Sequence, residues 1–286
     1  GRQGFKMIVA ADDLTGSIGG GVMEVRLGEI AKLKIKSETP NPKSRIVEQV
    51  HRKNSPDASG MICSGKQTVI FYKLTKKDLP IIFETIDALE NYQNRNLRIT
   101  NYELRICENE KNSCDFLFEI SGENDFLYEE KLGYKNKLFI VGGGHCALAL
   151  SEIMAKMDFH ISLFDDRADL NTIEKNRFVH KKILIESYEQ IGEFVGGGNN
   201  VYIVVMTLGY KFDETVIRKL FDKNFKYFGV LGSRAKMKIL LGNLEKEGFP
   251  QEKLKRIRTP VGLPINSRTP EEIAVSIAAE IIAVKN

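Results

Sequence analysis

Short apolar runs recur through the second half of the chain at Leu138–Val141, Ile161–Phe164, Lys182–Ile185, Val201–Thr207 and Tyr227–Leu231. Most are separated by stretches with helical spacing, and this alternation predicts a parallel sheet covered by helices on both faces. The final helix is marked by Thr269-Pro270-Glu271-Glu272, a capping box with proline at the first helical position, followed by the stripe Ile273, Ile277, Ile281 and Val284. The first half is less regular. Met7–Ala11 predicts a strand that ends in a turn over Asp12–Gly16, and Val22–Ile35 a helix with Leu27, Ile30, Ala31 and Lys34 at helical spacing. Lys43–Arg52 predicts a second helix on Ile46, Val47 and Val50, and Thr68–Leu74 a strand. Over Lys77–Tyr92, Leu79, Ile82, Phe83, Ile86 and Leu89 predict a helix laid on a core. Arg98–Cys107 and Cys114–Ser121 predict two paired strands joined by Glu108–Ser113. The charged, irregular stretch 122–136 predicts a linker between an N-terminal mixed α+β domain (1–121) and a C-terminal α/β domain (137–286).

Composition narrows the function classes. Of 286 residues, 42% are hydrophobic and 28% charged, enough apolar surface to exclude extended disorder. The net charge of +4, from 42 basic and 38 acidic residues, argues against a dedicated nucleic-acid binder. No apolar run approaches the roughly 20 residues that span a bilayer, and no signal peptide opens the chain, so a cytoplasmic protein without membrane partners is expected. Cys63, Cys107, Cys114 and Cys146 form no C-x-x-C pair, which predicts reduced thiols and no structural zinc.

Leu138–Val141 runs into Gly142-Gly143-Gly144-His145-Cys146-Ala147, a G-x-G-x-x-A pattern between a strand and a helix. Gly142 allows the turn, Gly144 lets a pyrophosphate approach the backbone, Ala147 permits close helix–strand packing, and the helix amides face the anion. Asp165 follows Gly144 by 21 residues at the end of the next strand, the interval of an acid that holds a ribose 2′-hydroxyl. A doubly wound, Rossmann-like nucleotide-binding geometry is therefore predicted. Arg167 would suit a 2′-phosphate, so NAD and NADP are not separated. His145 either touches a phosphate or bonds to backbone at the helix start, and Cys146 fits a small buried residue. Gly229–Lys236 offers a second anion site. There Gly232 ends a strand, Ser233 can cap the next helix, and Arg234 and Lys236 set cations in its first turn, either for a bound anion or for solvent. Thr207 lies at a strand's carboxyl end, where open α/β sheets bind ligands.

In the first half, Gly16-Ser17-Ile18-Gly19-Gly20-Gly21-Val22-Met23-Glu24 is a glycine-rich helix entry whose amides suit an oxyanion, with Glu24 also compatible with capping alone. Ser59-Gly60-Met61-Ile62-Cys63-Ser64-Gly65 places Cys63 between glycines. A thiolate there would serve as nucleophile, sulfur acceptor or soft-metal ligand, the alternative being a packed thiol.

Taken together, Gly16–Glu24, Gly60–Gly65, the Gly142 loop, Leu231–Arg234, Thr259–Ile265 and Arg268–Glu280 resemble, in order and over nearly the whole chain, the XdhC/CoxI family. These are accessory proteins of xanthine dehydrogenase and carbon monoxide dehydrogenase. The resemblance implies an N-terminal XdhC/CoxI domain followed by a Rossmann-type domain. It also implies a protein that binds and protects molybdenum cofactor, presents it for sulfuration, and delivers it to an apo-molybdoenzyme of the xanthine dehydrogenase type. A cysteine desulfurase and a second copy of the chain are the further partners expected. The implied cofactor-binding residues are Gly19, Gly20, Gly21, Glu24, Cys63, Ser64, Gly142, Gly144, His145, Asp165, Thr207, Gly232, Ser233 and Arg234, with a molybdopterin-type ligand expected in a cleft between domains. The sequence departs from the family in three places. Val22 stands where the family often has cysteine, Ser64 where it has glycine, and Leu208 where histidine commonly follows the threonine. The chain also opens where the family has run through a helix and most of a strand, so an N-terminal stretch is expected to be missing. Two other readings compete: an NAD(P)-dependent oxidoreductase built on Gly142–Asp165, for which no histidine has a compelling position, and a nucleotide-sensing module without chemistry.

Overall fold

The computed structural model describes residues 4–37, 43–51, 65–91, 93, 95–108, 116–122 and 125–286. The chain divides into two compact units, Gly1–Gly133 and Tyr134–Asn286.

In the first unit, β1 (Met7–Val9) and β2 (Leu14–Gly16) form an antiparallel hairpin that leads into α1 (Gly21–Lys36). The predicted turn over Asp12–Gly16 is thus shorter, its second half being strand. Ile18, Met23 and Leu27 form a small core with Met7, Ile30, Val69 and Phe71. The predicted helix over Lys43–Arg52 is instead a strand, β3 (Ser44–His51), paired antiparallel over eight residues with β4 (Gly65–Tyr72). Ile46 and Val47 are β-branched neighbours that suit a pleated surface better than one helix face. Next comes α2 (Leu79–Glu90), but its buried line is not the predicted one. Leu79, Phe83, Ile86 and Leu89 are exposed, whereas Ala88 is buried and Ile81, Ile82 and Thr85 are half-buried.

The remaining strands of this unit, β5 (Arg95–Thr100), β6 (Leu104–Glu108), β7 (Phe116–Ile120) and β8 (Phe126–Lys131), form an antiparallel sheet in the order β6-β5-β8-β7. The stretch 98–107 is therefore itself a hairpin, and 116–120 pairs with β8 rather than with it. The expected linker 122–136 holds β8, an inner strand, and the first residue of β9 (Asn136–Val141). Its charges misled because they are paired across the sheet. Glu129 accepts from Asn96 Nδ2 at 2.7 Å and Arg98 Nε at 2.9 Å, and Glu130 accepts from Tyr128 and pairs with Lys6. Phe126 and Tyr128 point to the buried side.

The second unit follows the alternation read from the sequence: β9, α3 (His145–Met154), β10 (Phe159–Asp165), α4 (Asn171–Lys175), β11 (Lys181–Leu184), α5 (Ile191–Phe194), β12 (Gly198–Val205), α6 (Tyr210–Leu220), β13 (Phe225–Val230), α7 (Arg234–Lys246), α8 (Gln251–Leu254), β14 (Ile257–Arg258) and α9 (Pro270–Lys285). All six strands are parallel, in the order β11-β10-β9-β12-β13-β14, the doubly wound arrangement whose direction reverses between β9 and β12. Leu138, Ile140, Ile161, Tyr202 and Val204 face α3 and α9 with Leu150 and Ile277, whereas Val141, Phe164, Ile203 and Val205 face the helices on the other side. The capping box of α9 is present as predicted, with Thr269 Oγ1 accepting from Glu272 N and Glu272 reaching back to Thr269 N at 3.1 Å. Among the described residues no helix is long and apolar enough to cross a membrane, and no cluster of three or more His, Cys, Asp or Glu is placed to hold a metal.

Candidate anion and cofactor site

The glycine loop after β9 sits at the point where strand order reverses, which is where doubly wound sheets open a crevice. Gly142 has φ +104°, and a Cβ there would lie 2.3 Å from the Met206 carbonyl oxygen, so only glycine lets the ends of β9 and β12 meet. Gly143 backs onto Ile173, while the Thr172 hydroxyl donates to its carbonyl. Gly144 differs: a Cβ there would meet nothing within 4 Å, so the space before the helix is open. It is the N-cap of α3, and the amides of His145 and Cys146 have no acceptor within the helix. These amides and the helix dipole make an anion-receiving end. Ala147 is fully buried where α3 meets the sheet, and His145 is exposed beside the loop. Burial, and then the Glu271 carboxylate, push the Cys146 thiol up, away from the reactive thiolate form.

Asp165, at the end of β10, is 1% exposed and already engaged. Its Oδ1 accepts from the Arg167 amide at 2.9 Å and Nε at 2.8 Å, and its Oδ2 from Arg167 Nη2 at 2.8 Å and the Gly143 amide at 2.6 Å. Burial pushes this carboxyl up, but the Arg167 fork and the two amides outweigh it and hold it below the usual range. The acid therefore ties the glycine loop to β10, and Arg167 faces it rather than a 2′-phosphate.

At the end of β12, Thr207 Oγ1 donates to Asp213 Oδ1 at 2.6 Å, and the Thr207 amide donates to the same oxygen at 3.1 Å. Asp213 lies in the first turn of α6 and is 3% exposed. Burial raises its carboxyl above the usual range despite the Thr207 bonds and the nearby Lys236. At the end of β13, Gly232 packs against Met237, and Ser233 caps α7, its Oγ accepting from the Lys236 amide at 3.4 Å. Lys236 lies 5.7 Å above the Tyr210 ring, and Arg234 is exposed with no ion pair among the described residues. The adjacent strands β9, β12 and β13 thus bring Gly142, Gly144, His145, Thr207, Gly232, Ser233 and Arg234 to one carboxyl edge.

In the first unit, Gly16, Gly19, Gly20 and Gly21 all have positive φ, and the turn they make converges the Ile18 and Gly20 amides on one point. That nest is filled by the chain itself. Glu24 Oε2 accepts from Ser17 Oγ at 2.6 Å, Ile18 N at 2.8 Å and Gly20 N at 3.0 Å. The Ser17 hydroxyl, then the Gly20 and Ile18 amides, lower the Glu24 carboxyl below the usual range. Val22, at the position where the family often has cysteine, is exposed. Cys63, Ser64 and Cys114 lie outside the described residues; Cys107 is half-buried.

Sequence reasoning missed Asp213 and a network under the Thr259–Ile265 segment. There Glu280 Oε2 accepts from the Tyr227 hydroxyl at 2.6 Å and from the Gly262 amide at 2.8 Å, with Gly262 at φ +96° against Ser276. A glycine in a segment otherwise apolar and proline-rich was the available signal for that close approach.

Comparisons with known proteins agree with this geometry. Residues 138–281 match the family model of the XdhC Rossmann domain. The chain is 29% identical over 156 residues to "Uncharacterized protein YqeB" of Escherichia coli (strain K12), covering 54% of this chain and 28% of that protein. It is 30% identical over 161 residues to a probable xanthine dehydrogenase subunit of Bacillus subtilis (strain 168), covering 56% of this chain and 46% of that protein. It therefore spans less than half the length of these curated relatives. A crystal structure of a xanthine dehydrogenase from Bacillus halodurans superposes with a TM-score of 0.70 at 21% identity, covering 98% of this chain and 85% of that one, a likeness of fold.

Proposed function

Because this chain belongs to the XdhC Rossmann-domain family, we propose that it is an accessory protein of a xanthine dehydrogenase-type molybdoenzyme. In this reading it binds molybdenum cofactor as cargo, protects it during sulfuration by a cysteine desulfurase, and passes it to the apo-enzyme. The observation that carries the reading is the open helix end at Gly144, flanked by Thr207 and the Arg234 cation along one carboxyl edge. A pterin that carries a phosphate matches such an end, since the phosphate accepts from amides with no other acceptor. In this reading Cys63, which lies outside the described residues, would serve as a sulfur acceptor, and a homodimer would carry two copies of the Gly144 site. The nicotinamide reading has less support, because both oxygens of Asp165 are engaged and Arg167 is held by them. The test is anaerobic incubation of the purified chain with molybdenum cofactor, followed by gel filtration. Cofactor co-eluting with the protein, and lost from a Gly144→Asp variant, is the expected result. Failure to retain cofactor, or micromolar NADH binding with turnover, would overturn the proposal.

A further inference from the structure

Away from the glycine loop, the second unit has a cavity of about 630 Å³ along the edge formed by β13 and β14. β14 pairs with β13 only at Phe228 and Gly229, so the earlier part of β13 has no strand beside it on that side among the described residues. The walls carry six cations, Lys223, Lys226, Lys253, Lys255, Arg256 and Arg258, against one carboxylate, Glu280. For a chain whose net charge is only +4, this is a strong local concentration.

Three of the cations are held by the protein. The Lys223 ammonium donates to the carbonyls of Gly192 and Val195, and Lys253 pairs with Asp222 at 2.8 Å. Arg258 Nη1 lies 3.3 Å from Glu280 Oε1, and Glu280 is itself fixed through its other oxygen by Tyr227 and Gly262. The guanidinium is thereby set in the wall by a buried tyrosine, an amide and a carboxylate, and among the described residues Nε and Nη2 have no acceptor. Among the described residues Lys226 and Lys255 make no ion pair, and Arg256 reaches only Asn224 Oδ1, at 3.5 Å. Crowded cations without counter-charges repel one another, and a bound anion removes that repulsion. The volume falls within the range of small-molecule sites, and the rings of Phe221 and Phe225 add an apolar wall.

We propose that this cavity binds a small phosphorylated metabolite, with Arg258 as the fixed donor and Lys226, Lys255 and Arg256 closing on the phosphate. A concave site with an apolar wall suits a small molecule better than nucleic acid, which calls for an extended basic stripe. The site is separate from the glycine loop: Lys226 stands near the amino end of β13, whereas Gly142 follows the carboxyl end of β9.

Isothermal titration of the full chain at low salt with inorganic phosphate, AMP and ADP tests this. Saturable binding is expected, weakened about tenfold or more in a Lys226→Ala/Lys255→Ala double variant, as for loss of charge-assisted hydrogen bonds. Both lysines are exposed, and the charge-keeping Lys226→Arg/Lys255→Arg variant should bind as the parent does. Phosphate binding as tightly as AMP would identify the free anion as the ligand, and tighter AMP an ester; either supports the proposal. Absence of saturation up to millimolar concentration with all three probes would overturn it. So would binding indifferent to the double variant, or displacement of ADP by a single-stranded RNA oligonucleotide that binds more tightly.

Discussion

Replacing Asp165 by Asn tests whether this acid is a structural tie or a free ligand group. The carboxylate accepts four hydrogen bonds, two from the Arg167 guanidinium and one each from the Gly143 and Arg167 amides. Asparagine keeps one acceptor oxygen but turns an NH2 toward groups that are all donors, and it leaves Arg167 only the more distant Asp166 carboxylate, 3.9 Å away. Removing one partner of a buried ion pair costs about 3–5 kcal/mol. Arg167 is one-third exposed, so water recovers part of this, and about 2–3 kcal/mol is expected. For a unit of this size that corresponds to a fall in Tm of roughly 5–10 °C. The assay is urea unfolding followed by circular dichroism, with Arg167→Gln and the double variant completing a thermodynamic cycle. Acid provides a second check. A carboxyl whose folded pKa is lowered stabilises the fold above its unfolded value, about 3.9, and that stability is lost as pH falls through the folded value. The parent should therefore lose more stability below about pH 4 than the Asn variant, which keeps only the share of the other lowered carboxyls such as Asp78 and Glu129. A cost under about 0.5 kcal/mol, the level of an ordinary surface change, or no coupling to Arg167, would refute the structural assignment. It would also return Asp165 to the ribose role.

Gly142→Ala should cost about 3 kcal/mol, since it adds left-handed strain of about 1–2 kcal/mol to a clash with the Met206 carbonyl; calorimetry on the variant checks this. His160 stacks on His180, with ring centroids 4.9 Å apart, and burial, then His180 and the ammonium groups of Lys181 and Lys137, push it down to about 4. Stability should therefore fall as pH drops from about 6.5 toward about 4, and His160→Gln should flatten that part of the profile in denaturant titrations. Glu24→Ala should speed hydrogen exchange at the Ile18 and Gly20 amides, whereas Glu24→Gln, which keeps an acceptor, should speed it less, as measured by exchange mass spectrometry.

Much of the second unit was legible because its strands are buried on both faces and read as continuous apolar runs, as at Ile161–Phe164 and Val201–Val205. The glycine loop was legible because Gly142 answers a backbone demand that no other residue meets. The two-residue strand β14 was not, since Ile257 and Arg258 carry too little pattern to mark an element. In the first unit, apolar spacing misled in opposite ways. Ile46, Val47 and Val50 matched a helix but form a strand, and the strongest stripe of α2 faces outward while Ala88 is buried. Paired charges hid β8, because Glu129 and Glu130 read as solvated residues until Asn96, Arg98, Lys6 and Tyr128 come beside them. The engagement of Asp165 could not be read from spacing, whereas for Glu24 the capping alternative was legible and its hold on the Ser17 hydroxyl and the Ile18 amide was not. Each takes amides that the same motif, seen as letters, offers to a ligand.

The carboxylate of Glu24 changes what binding means at the nest before α1. An anion arriving there does not enter a vacant pocket but exchanges with one that is covalently tethered. A tether of a few residues gives an effective local concentration of the order of millimolar or higher. A micromolar competitor offering only one more carboxylate would lose that exchange. The nest therefore screens out dilute single carboxylates and yields to a group with more acceptor oxygens, more charge or additional contacts.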